Sequence, residues 1–137
     1  MRNIIRKYKT SSVYLGISIL CLIIFLIYDQ FSHGVRSPYM TYLFLWPLVL
    51  GFVPYTIAAF IKSKTAAYGN SITRIAFNIY NSGVAAITVS SLLKGIFDIA
   101  GNSSIYQSYL MTGGIVILII GIIIYPISLC FLKASNI

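Results

Sequence analysis

The sequence predicts an all-α integral membrane bundle of four transmembrane helices, built as two tandem parallel helical-hairpin repeats, and three observations predict it. The first is composition. Of 137 residues, 58% are hydrophobic and 9% charged, against about a quarter charged in a soluble domain. The second is length. Apolar stretches at 13–29, 39–61, 72–97 and 107–132 each match the roughly 20 residues a helix needs to cross a bilayer. The third is repetition. Ser37-Pro38-Tyr39, Tyr42-Leu43, Gly51, Tyr55, Phe60 and Lys62 are echoed by Ser104-Ile105-Tyr106, Tyr109-Leu110, Gly121, Tyr125, Phe131 and Lys133. The spacing begins at 67 residues and drifts to 71, and Tyr28-Asp29 matches Phe97-Asp98 at 69. Both copies enter from the same side, so the expected axis lies along the membrane normal, unlike the inverted repeats of many transporters.

The expected organisation is one membrane domain over 1–137: a basic N-terminus 1–12, a first hairpin 13–62, a loop 63–71, a second hairpin 72–133 and a C-terminal tail 134–137. Helix starts mark each span. Thr10-Ser11-Ser12, Ser37-Pro38, Asn70-Ser71 and Asn102-Ser103-Ser104 place Ser or Asn where an N-cap accepts bonds from free backbone N–H groups, with Pro38 suited to the first helical position. Behind the caps, Tyr39 and Tyr42, and Tyr106 and Tyr109, share one face at headgroup depth, as interfacial tyrosines do; stacking on a ligand is the competing use. Pro47 and Pro54 should bend the second span, and Pro126 the fourth, because each removes an intrahelical bond.

The third span is the most polar, with Asn78, Asn81, Ser82, Thr88, Ser90, Ser91 and Lys94. Ser82, Ala86, Ser90 and Lys94 recur at i+4, and small residues at that spacing let membrane helices approach closely. That makes it the central helix, with Gly113, Gly114 and Gly121 marking the fourth span as its packing partner.

The net charge of +8 is split unevenly. Arg2, Arg6, Lys7, Lys9, Lys62, Lys64, Arg74 and Lys133 fall on one side, and Arg36 and Lys94 on the other. Lys and Arg in short loops face the cytoplasm, so both termini are expected there, in a multi-pass protein of the cell (plasma) membrane. The basic residues then meet the lipid bilayer at its anionic headgroups; this distribution argues against nucleic acid. The basic start and apolar run, with Ser32-His33-Gly34 beyond, imitate a secretory signal. A counterpart in mid-chain makes the first span an uncleaved anchor instead. Cys21 and Cys130 lie at different expected depths without C-x-x-C spacing, and read as packing residues.

Five ionisable groups collect on the outer side: Asp29, His33, Arg36, Lys94 and Asp98. Asp29 and Asp98 end outward-running helices, where a carboxylate opposes the macrodipole at about 0.3–1 kcal/mol. Two readings fit. Either Arg36 and Lys94 pair with them and close the outer mouth, or the group forms a polar pocket for an anionic or polar ligand. His33, four residues from Asp29, is expected to hydrogen-bond to it. A metal site needs three or four ligands and a haem a second axial partner; neither is evident, and no cofactor is expected. Catalytic signatures are missing too: Asp29, Ser32 and His33 are too close in sequence to converge as a triad, and there is no phosphate-cradling glycine loop or H-E-x-x-H. With no acid at a bilayer midplane, the chain also departs from the small multidrug exporters, which rely on an embedded glutamate.

Phe31-Ser32-His33-Gly34-Val35 followed by Ser37, Tyr39-Met40 and Pro47-Leu48, and Asn78-Ile79-Tyr80-Asn81-Ser82-Gly83 with Gly101-Asn102-Ser103-Ser104, resemble uncharacterised small four-helix membrane proteins of Gram-positive bacteria. The resemblance covers most of the chain and implies no activity. The expected function is that of a non-enzymatic subunit or accessory protein packing against another membrane protein or itself. The alternative is a small-ligand binding or transport protein that uses the outer cluster.

Overall fold

Three long helices carry most of this chain, and a fourth apolar stretch between the first two is broken. The computed structural model describes residues 2–61 and 71–135, with side chains over 9–57, 72 and 74–127. Helix α1 is Arg2–Phe31, α2 is Pro38–Thr41, a π-helical segment covers Pro47–Phe52, α3 is Val53–Ile61, α4 is Ser71–Ile99 and α5 is Ile105–Ser135. Among the described residues, Lys9–Phe31, Arg74–Ile99 and Ile105–Ile127 are long and apolar enough to cross a membrane, and Pro47–Ile57 is a shorter apolar helix. The protein is therefore an all-helical membrane protein.

The stretch 39–61 is not one bent helix, as expected from the sequence, but three pieces. Past α2 the backbone tightens, with Leu43 N–H bonding Met40 O at 3.3 Å and Leu45 N–H bonding Tyr42 O at 3.0 Å. From Pro47 it widens, until Val53 N–H reaches Leu48 O five residues back. Pro47 and Pro54 have no N–H to give, so the regular ladder cannot pass either position. Carbonyls freed inside a membrane need other donors, and the neighbouring helices supply them. Ser18 Oγ of α1 donates to Phe44 O at 2.9 Å, Ser91 Oγ of α4 to Tyr39 O at 3.0 Å, and Tyr80 Oη of α4 to Leu50 O at 2.6 Å. Leu50 O is the acceptor that an N–H at position 54 would have used.

Two expected caps turn out to be tertiary cross-links. Helix α1 begins at Arg2 rather than at Thr10-Ser11-Ser12, because nothing among its basic and apolar first residues breaks a helix. Buried Ser11 instead lies 2.6 Å from Thr56 Oγ1 of α3. Ser37 does occupy the extended position before α2 but makes no capping bond; its hydroxyl goes to Asp98. Helices α4 and α5 start at Ser71 and Ile105, where the sequence places them.

Helix α4 is central. It packs against α5, α2 and the π segment, whereas α1 packs on the π segment and α3. Accordingly α1 buries one stripe, Ser11, Tyr14, Ser18 and Cys21, and α4 buries residues on two sides, including Ala76, Val84, Ile87, Ser90 and Ser91. The contact of α4 with α5 takes in Ala86 and Ser90 of the expected stripe but not Ser82. Ser82 is exposed and bonds its own helix at Asn78 O, and a Cβ on Gly113 would meet nothing within 4 Å. The closest approaches are Gly83 against the Leu118 backbone and Gly121 against the Tyr80 backbone. Ala86 and Ser90 do face α5: Ala86 lies against Gly114, while Ser90 Oγ donates to Gln107 O at 3.0 Å and accepts from Gln107 Nε2 at 3.1 Å.

Candidate functional site

Past α1 the chain reverses through His33 and Gly34, both with positive φ. This turn brings Arg36 back over Asp29, and the guanidinium grips the carboxylate with two prongs, Nε to Oδ1 at 2.9 Å and Nη2 to Oδ2 at 3.2 Å. His33 does not bond Asp29 as the spacing suggested. The carboxylate is engaged by Arg36, and the left-handed backbone at His33 turns its ring back, so that Nδ1 meets Phe31 O at 2.8 Å. On α4, Lys94 Nζ stands 3.4 Å from Asp98 Oδ1 and 5.8 Å from the centre of the Tyr39 ring. Ser37 Oγ donates to Asp98 Oδ2 at 2.7 Å, which ties the start of α2 to the end of α4.

The five ionisable groups thus form two separate ion pairs, Asp29–Arg36 and Lys94–Asp98, with His33 outside both. Both pairs are local, so their effect is to neutralise the acids at the helix ends rather than to join helices. The cavity beside Asp29, Arg36 and Ser37 holds about 10 Å³, at or below the space for one water. Tyr39, Tyr42, Tyr106 and Tyr109 are all exposed at this end. Among the described residues no three His, Cys, Asp or Glu side chains gather as a metal site would require; Cys130 lies outside the described side chains.

The most connected polar site lies elsewhere and escaped the sequence reading. Asn81 of α4 accepts on Oδ1 from Tyr14 Oη of α1 at 2.8 Å and from Tyr55 Oη of α3 at 2.5 Å. The two tyrosine rings stack with centroids 5.6 Å apart and planes at 14°, so one carboxamide joins three helices. No local pattern sets Asn81 apart from the other polar residues of the third span.

Two concavities flank this junction. One, of about 360 Å³, lies between α3, α4 and α5 and is walled by Pro54, Tyr55, Phe77, Tyr80 and Tyr125. The other, of about 630 Å³, opens between α1 and α4 beside Lys9, Val13, Tyr14, Asn81, Ala85 and Thr88. Compared with known protein families, with curated proteins and with solved structures, the chain has no match.

Proposed function

We propose that this chain is a non-enzymatic, multi-pass subunit or accessory protein of a membrane complex in the cell membrane. Its four spans form two parallel hairpins, and both termini face the cytoplasm. One observation carries the functional part. In the outer cluster the charges pair locally, Asp29 with Arg36 and Lys94 with Asp98, Ser37 ties Asp98 to α2, and the cluster encloses about 10 Å³. An outer-face site made to receive a polar solute would keep donors, acceptors and volume free; at this end they are engaged within the protein. That favours the subunit reading over outer-face ligand binding.

The tandem reading draws support from contacts that recur at the repeat spacing. Gly51 and Gly121, 70 residues apart, are both points of close packing, against the Tyr14 ring and the Tyr80 backbone. Cys21 packs with Met40 in one hairpin, and Ser90 bonds Gln107 in the other; the members of these pairs are 69 and 67 residues apart. An apolar pair thus stands where its counterpart is hydrogen-bonded. The resemblance to small membrane proteins of Gram-positive bacteria remains part of this proposal.

Light scattering on protein extracted in mild detergent tests the subunit reading. The expected result is a protein mass above 15.2 kDa by a fixed multiple or by a second component in constant ratio. A monodisperse monomer would sink it. Orientation is tested by impermeant maleimide on whole cells, using single cysteines in a variant without Cys21 and Cys130. Ser103→Cys, in the exposed turn before α5, should label, and Ser63→Cys, in the basic loop outside the described residues, should not. Labelling of Ser63→Cys alone would reverse the topology.

A further inference from the structure

The open groove between α1 and α4 presents three kinds of surface in a fixed order. At its mouth stands Lys9. On α4, Arg74, Asn78, Asn81, Ala85 and Thr88 fall at i, i+4, i+7, i+11 and i+14, which is one helical face. Arg74 therefore lies toward the same mouth, about 10 Å along the axis from Asn81. The chain's two acids, Asp29 and Asp98, both sit at the opposite end; on α1, Asp29 is about 30 Å from Lys9. Neither acidic side chain, Asp29 or Asp98, reaches that mouth.

Deeper in the groove is Asn81. Its Oδ1 accepts twice, but its amide nitrogen has no partner among the described residues. That nitrogen is not sealed in, since no buried side-chain nitrogen or oxygen lacks a partner, and Asn81 lines this groove and not the one beside α5. The span Arg74–Ile99 is about 39 Å long, against a hydrocarbon core of about 30 Å. Centred, it puts Asn81 several ångströms inside the apolar region, where an unmatched amide donor is costly. Beyond Asn81 the walls are Val13, Ile17, Val84 and Val89.

Cations, then a hydrogen-bond donor, then aliphatic walls match a glycerophospholipid read from phosphate to ester carbonyl to acyl chain. We propose that the α1–α4 groove binds one anionic phospholipid, with its phosphate at Lys9 and Arg74, an ester carbonyl on the Asn81 amide and an acyl chain along Ile17 and Val84. The proposal rests on α1 and α4 crossing the membrane. It depends neither on which side is cytoplasmic nor on the subunit reading, which light scattering decides separately.

Native mass spectrometry of the full chain, stripped of lipid in detergent and offered equal phosphatidylglycerol and phosphatidylcholine, tests it. The wild-type protein should retain one phosphatidylglycerol per chain, at least fivefold over phosphatidylcholine, and excess inorganic phosphate should not displace it. Ala85→Trp fills the groove, and Lys9→Gln with Arg74→Gln discharges the mouth; each should cut retention at least fivefold. Val116→Trp, on an exposed face of α5, should retain lipid as the wild type does. Equal binding of the two lipids, displacement by phosphate alone, undiminished retention in Ala85→Trp, or an equal loss in Val116→Trp would each overturn the site. So would a second copy of the chain bound in place of lipid.

Discussion

Gly83→Val is expected to pry α5 from α4, and to cost more stability than any substitution on a lipid-facing surface. A Cβ at Gly83 would sit 2.6 Å from the Leu118 nitrogen and 2.7 Å from its Cα. Those are backbone atoms of the partner helix, which cannot swing aside as a side-chain tip can. The helices must separate along the crossing, and the Ser90–Gln107 bonds, about two turns further along α4, loosen with them. Overpacking costs about 1–3 kcal/mol in well-packed cores, and this case belongs at the upper end. In a chain of this size that lowers the melting temperature by roughly 5–10 °C. Circular dichroism melts in one detergent check it, with Gly113→Val as the comparison, because a side chain there meets nothing. Two variants melting together would show that the α4–α5 approach is not as close as the geometry says.

The long helices were legible because a bilayer leaves a 20-residue apolar run few alternatives. Helices α1, α4 and α5 lie where the apolar runs do. The positions of the hydroxyls were less legible. A serine before an apolar run is a cap by local rules, and Ser11 and Ser37 satisfied those rules. Yet the same hydroxyl can bond any acceptor that packing brings near, and Thr56 and Asp98 arrive from 45 and 61 residues away. Local sequence carries no sign of such a partner.

The broken second span divides in the same way. Pro47 and Pro54 announce that carbonyls will be freed; they do not say that Tyr80 of another helix will take Leu50 O. The outer cluster behaves likewise. Sequence spacing made Lys94–Asp98 a natural i,i+4 pair, and so it is. Whether the cluster also enclosed a pocket depended on how Met40 and Ile99 fill the space beside it, which is a packing outcome. Of the small-residue stripe Ala86 and Ser90 face α5, and at the third position the contact is Gly83 rather than Ser82. That one-position difference is about 100° around a helix, enough to change a lipid-facing residue into a contact.

Asn81→Leu should be the most damaging polar-to-apolar change in the described interior, and a second substitution should partly repair it. The carboxamide oxygen is the acceptor for Tyr14 Oη, on a side chain that is 8% exposed, and for Tyr55 Oη. Leucine fills similar volume but leaves the Tyr14 hydroxyl without that acceptor inside the membrane. A stranded buried donor costs about 1–3 kcal/mol. Interhelical bonds in membranes average about 0.6 and reach about 1.7 kcal/mol, because the unfolded chain finds other partners there. The two bounds together place Asn81→Leu at about 1–3 kcal/mol. Tyr14→Phe alone should cost less, since Asn81 keeps its bond from Tyr55. Combining Tyr14→Phe with Asn81→Leu removes the stranded hydroxyl, so the double variant should be more stable than the sum of the two losses predicts. A double-mutant cycle on detergent melts measures that coupling directly. Strict additivity would mean that the two side chains do not act as a unit and that the stacked tyrosines alone fix α1 against α3. A positive coupling would show that the Asn81 carboxamide ties α1 to α4, which the chain itself joins only through a broken span, beside the contacts Ser11 and Ser18 make with that span.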